Sequence, residues 1–161
     1  MNQAEHLWRT ARVHGDLPAV ALGAHVTHDY ARLADRAARL AEGLTGRLGL
    51  AQGDTVAIVQ KNSTHYHECL YGIWWAGLAA VPVNAKLHPK ELAYILENSG
   101  ARLILSSADL DQVMAEAVDG LQPSPTVLMA GSTEYERLLS GDGIARPVSV
   151  SDDDLAWLFY T

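Results

Sequence analysis

Four apolar runs recur through the chain: GDTVAIVQ at 53–60, AAVPV at 79–83, ARLILS at 101–106 and PTVLMAG at 125–131. Their centres are continuous rather than alternating. A strand that is wet on one face alternates polar and apolar residues. A strand covered on both faces does not, and parallel sheets are covered on both faces. Between these runs lie segments with helical spacing. One starts at Asn62 or Ser63 and reaches about Gly77. A second has Pro89 at its first turn and runs through ELAYILENSG to Gly100. DLDQVMAEAV is a third, and STEYERLLSG is a fourth that opens on a serine cap. The order predicts an α/β fold: a mainly parallel sheet, helices on both faces, and right-handed crossovers. Residues 1–161 form one such region.

Ahead of the first run, residues 3–14 predict a helix, with Leu7, Trp8 and Ala11 on one face. PAVALGAHVTH predicts two short strands around Gly23-Ala24. Thr27 then stands where a cap would open a long amphipathic helix. Tyr30, Leu33, Ala34, Ala37, Leu40, Ala41 and Leu44 line its apolar face, and Gly46 and Gly49 end it. GDGIARPVSV reads as a loop. The apolar DLAWLFYT then reads as a closing buried strand at 154–161.

Composition excludes several classes. Hydrophobic residues are 48% and charged residues 19%, which suits a chain with a real core. A net charge of -7 offers neither nucleic acid nor an anionic membrane a basic surface. The single cysteine, Cys69, rules out a disulfide framework and suits a reducing, cytoplasmic setting. The first residues lack the apolar segment of a signal peptide, and YGIWWAGLAAVPV is too short to span a bilayer.

The residues alone supply no complete catalytic site. Neither phosphate-loop pattern, G-x-x-x-x-G-K-[ST] or G-x-G-x-x-G, is present. Gly43, Gly46 and Gly49 fit a helix end. His65 and His67 point to different sides of one helix, and His25 and His28 straddle a strand-to-helix join, so no metal-ligand set forms. Cys69 reads as a buried structural thiol. Asp152, Asp153 and Asp154 read as a solvated lead-in, and Asn62-Ser63-Thr64 as a helix cap. Trp74 and Trp75 read as core, although their facing leaves room for one to line a groove. No catalytic residue and no metal ligand is assigned.

Three stretches carry a resemblance. VTHDYARLADRAARLAEGL, at 26–44, is similar to an early segment of the adenylate-forming acyl-CoA and aryl-CoA synthetases (the AMP-dependent synthetase and ligase family). Residues 53–105 resemble that family's pattern of a G-D-x-V strand, an asparagine-capped helix, A-G-x-x-x-V-P-x-N, a leucine, P-x-E-L and a terminal N-S-G-A. DDLAWLFYT resembles the strand that enters the family's phosphate loop, Y-T-S-G-T-T-G. Lys86 departs from the arginine usual there; it keeps the charge but loses a bidentate fork.

The resemblance implies the N-terminal portion of the large adenylate-forming domain of an ATP-dependent carboxylic acid–CoA ligase. Thr161 would be the first residue of the phosphate loop, a cofactor-binding position. ATP, Mg²⁺ and CoA are expected for the parent enzyme and none for this portion, which is expected to be inactive. The rest of the phosphate loop and the C-terminal domain lie outside these residues. An unpaired apolar edge is expected to drive self-association. Fatty, short-chain, aromatic and cinnamic acids stay open as substrates. Two other readings stay open as well: a short non-catalytic α/β binding or interaction module, and a flavodoxin-like ligand-binding domain.

Overall fold

The computed structural model describes residues 1–161. Helix α1 is Ala4–His14, followed by an antiparallel hairpin of β1, Pro18–Leu22, and β2, His25–Asp29. Helix α2, Tyr30–Glu42, continues into a π-helical turn at Gly43–Arg47. The α/β units follow: β3 Thr55–Val59, α3 Thr64–Trp75, β4 Ala79–Val83, α4 Pro89–Ser99, β5 Leu103–Ser106, α5 Asp111–Val118, β6 Thr126–Met129 and α6 Thr133–Leu138. The four strands form a parallel sheet in the order β4-β3-β5-β6.

The predicted double cover is present. Val56 and Ile58 of β3 join the cluster built by α2 and α3, and Ala57 and Val59 join the cluster built by α4 and α5. All four are fully enclosed. Alternate residues of one strand thus serve two cores, which is why its sequence shows no alternation. The expected apolar face of α2 is buried from Leu33 to Leu44. It crosses α3 closely, since a Cβ on Gly72 would stand 2.6 Å from Leu40 Cδ2. Trp74 and Trp75 are both core residues, 6% and 2% exposed. Their indole N–H groups donate to the carbonyls of Ala156 and Ile144 at 2.8 Å.

Two expectations change. The cap of α2 is Asp29, whose carboxylate accepts from Arg32 N at 2.7 Å. Thr27 belongs to β2, and its hydroxyl donates to the Val20 carbonyl. The α2 helix widens into the π turn, which contains Gly46; it caps at Leu48, and Gly49 at φ 67° ends it as expected. The closing segment is not a buried strand. It touches β4 through one parallel bridge, Ala80 with Trp157, made by Ala80 N to Ala156 O and Leu158 N to Ala80 O. Leu155, Trp157 and Phe159 are 61%, 38% and 62% exposed. The segment lies outside β4 at the sheet edge, so only its Ala156, Leu158 and Tyr160 side packs inward.

Helices α2, α3 and α6 share a buried polar network. Glu68, 0% exposed, receives Arg36 through Nε and through Nη2, the latter at 3.0 Å. Tyr135 donates to the same carboxylate at 2.5 Å. On the outer side Arg36 pairs with Glu136 at 2.7 Å. The α4/α5 side of the sheet encloses no charged group; its buried polar side chains are Ser99 and Ser106, whose hydroxyls donate to the Leu96 and Val59 carbonyls.

Candidate functional site

The order β4-β3-β5-β6 contains a reversal. From β3 the chain crosses to β4 through α3 on one face. It then returns past β3 to β5 through α4 on the other face. Loops at such a reversal diverge and leave a crevice outside the carboxyl ends of the strands, the usual ligand position in open α/β sheets.

At that end the chain places polar residues directly after apolar strands. Gln60, Lys61 and Asn62 follow β3, and Asn84 and Lys86 follow β4. With Tyr66 they line a cavity of about 400 Å³ that no carboxylate enters. Asn84 Oδ1 accepts from Lys86 N at 3.0 Å, a local turn that fixes the Lys86 backbone. Lys86 makes no ion pair in the chain. Lys61 reaches across the crevice to Asp109 at 2.6 Å, and its hydrogen bond holds the Asp109 carboxyl below its ordinary range. In a chain of net charge -7 this cavity is lined by the unpaired Lys86 ammonium and by the Asn62 and Asn84 amides, while the Lys61 ammonium is held by Asp109 and the Gln60 amide turns inward. Such a donor set accepts an anion.

Thr161 is exposed and stands in a second recess of about 440 Å³ with Leu87, Tyr94, Ile95 and Tyr160. The closing segment runs parallel to β4. Thr161 therefore lies toward the same end of the sheet as Lys86, next to the turn that carries it. Tyr160 is tied back to α4 by its hydroxyl, which donates to Asn98 Oδ1 at 2.7 Å.

The remaining polar candidates lie elsewhere. Cys69 is enclosed, and burial pushes its thiol up to about 12, so it is no nucleophile at neutral pH. His65 packs edge-on against Tyr135, and His67 is exposed. His28 is 8% exposed, and burial lowers its pKa. No three His, Cys, Asp or Glu side chains converge on one point. Sequence reading missed the role of Lys61, Asn62 and Asn84. Their signal was position: amides and a lysine at the carboxyl ends of strands predicted to be parallel.

The model of the family described as AMP-binding enzyme matches residues 7–161. The chain is 33% identical over 138 residues to the long-chain-fatty-acid–CoA ligase FadD13 of Mycobacterium tuberculosis, which covers 82% of this chain and 26% of that protein. It is 33% identical over 135 residues to the fatty acid–[acyl-carrier-protein] ligase ScoC of Streptomyces coeruleorubidus, covering 84% of this chain and 26% of that protein. The solved N-terminal domain of FACL13 from Mycobacterium tuberculosis superposes with a TM-score of 0.87 at 31% identity, over 100% of this chain and 42% of that one. The chain thus spans about a quarter of the length of these curated relatives. Strand pattern, double-covered sheet and family match agree, and the chain belongs to the AMP-binding enzymes.

Proposed function

We propose that this chain is the N-terminal portion of the large domain of a cytoplasmic, ATP-dependent carboxylic acid–CoA ligase. The match to FadD13 over 82% of the chain carries the reading. The reaction would proceed in two steps. A carboxylate attacks the α-phosphate of ATP, which gives an acyl-adenylate and releases pyrophosphate. The CoA thiol then attacks the acyl carbon and releases AMP. Both co-substrates are polyanions, and the cavity with Lys86, Asn62 and Asn84 suits a phosphate group of either. Thr161 would open the phosphate loop, whose remainder, with the acyl pocket and the small C-terminal domain, would come from further sequence.

On this reading the 161-residue chain is inactive by itself. Detectable ATP–pyrophosphate exchange by the purified chain would overturn that. Joined to the rest of its open reading frame, it should form CoA thioesters from ATP, Mg²⁺ and at least one member of a panel of fatty and aromatic acids. Failure with every acid would remove the ligase reading. The outward row of Leu155, Trp157 and Phe159, beside an unpaired backbone edge, should also make the isolated chain self-associate. A strictly monomeric sedimentation profile at high concentration would count against that.

A further inference from the structure

The loop that presents Lys61 and Asn62 is held from inside. Gln60 is 5% exposed and its side chain turns back into the core. Its Nε2 donates to Cys69 Sγ and to the Leu105 carbonyl, each at 3.3 Å. Its Oε1 accepts from Ser63 Oγ at 3.4 Å. One amide therefore binds the loop to α3, to β5 and to the residue before the next helix.

The anchor of that amide continues inward. Cys69 Sγ lies 3.5 Å from Tyr135 Oη, and Tyr135 donates to Glu68 Oε1 at 2.5 Å. An ionised carboxylate only accepts, so the directions are fixed. The phenol proton goes to Glu68, the thiol proton to the phenol oxygen, and the Gln60 N–H to sulfur. Burial keeps both intermediate protons in place: it pushes the Cys69 thiol up to about 12 and raises the Tyr135 phenol well above its ordinary value. Bonds aligned in one direction polarise each other, and loss of one weakens the rest.

We propose that Glu68 and Tyr135 are positioning residues for the cavity: the donor chain Gln60–Cys69–Tyr135–Glu68 sets where Lys61 and Asn62 stand. The affinity part of this rests on the anion reading above; the positional part does not. The simpler alternative is that the network only seats α6 on α2 and α3.

The test uses the isotope-labelled 161-residue chain and follows its amide resonances. Tyr135→Phe removes one O–H and keeps the ring. Glu136→Gln loosens Arg36 from the outside and leaves the donor chain intact, so it is the comparison. Gln60→Met cuts the chain at its other end and serves if Tyr135→Phe does not fold. Tyr135→Phe should move the Gln60 side-chain amide and the Lys61 and Asn62 backbone amides. It should weaken inorganic pyrophosphate binding about three- to tenfold, the equivalent of one ordinary hydrogen bond. Glu136→Gln should leave those resonances in place and change affinity by less than about twofold. If Tyr135→Phe shifts only resonances of α2, α3 and α6, the network is a helix seat and the proposal fails. If the loop resonances move but pyrophosphate binds neither protein, the anion reading falls and the positioning role stands.

Discussion

The two faces of the sheet solve the same burial problem by different chemistry. On one side α4 and α5 cover β3, β4 and β5 with Leu92, Ile95, Leu96, Leu110 and Met114, and no charged group intrudes. On the other side α2, α3 and α6 enclose Arg36, Glu68 and Tyr135 among their apolar residues. An apolar layer gains stability in proportion to area and tolerates some repacking. A charged layer gains little net stability, because desolvation offsets the attraction, but it fails sharply when one member is removed. The difference teaches where each kind of force is used. The apolar face holds the sheet together, and the polar face fixes particular side chains next to the carboxyl end.

The largest effect expected from this comparison is for Glu68→Ala. It strands the Tyr135 hydroxyl, takes the buried partner from Arg36 and leaves it only Glu136, and should cost about 4 kcal/mol in urea unfolding. A loss under about 1 kcal/mol would erase the distinction between the faces. Replacing Arg36 and Glu68 together by apolar residues of similar volume should restore most of that loss. Leu92→Ala, on the apolar face, should cost about 3 kcal/mol through its cavity. It should also leave the Tyr135 environment unchanged, as read by that residue's ring resonances. Asp29→Ala, at the entry to the polar layer, should cost about 1 kcal/mol as a lost helix cap. Thr27→Ala should cost less, because Thr27 is not the cap.

The smallest expected effect is in pH. His28 belongs to the polar side, and burial depresses its folded pKa. The unfolded chain therefore takes up the proton first. Stability from keeping His28 neutral is fully present above about pH 6.5, and it is lost as pH falls from there through the lower folded value. His28→Gln should flatten that part of a stability–pH curve. An unchanged slope would assign the titration elsewhere.

The sheet was legible in the sequence because double cover leaves a plain mark, unbroken apolar runs between helical segments. The hidden features depend on distance along the chain. Glu68 meets Tyr135 across 67 residues and Arg36 across 32, and no local pattern links them. Thr27 was misread as a cap because the hairpin ladder runs past it to Asp29, which pairs with Pro18. The closing segment was misread because a run of apolar residues signals hydrophobicity, not the number of faces covered. At the candidate site, Lys86 stood out as a departure from the family pattern. Asn62 was read as a helix cap and Asn84 as the end of a family pattern, and Lys61 carried no reading, until β3 and β4 brought the three to one cavity.

The stacked pair of Trp157 and Phe159, with ring centroids 5.3 Å apart, has an optical consequence. Of the four tryptophans, Trp74 and Trp75 are shielded, Trp8 is half-buried under Arg12 and Arg146, and Trp157 is the most open to solvent. A neutral collisional quencher should therefore dim Trp157 first and leave a blue-shifted remainder. Any surface that comes to lie over this edge announces itself as lost quenching, so the molecule carries its own emission gauge of contact at the β4 edge of its sheet.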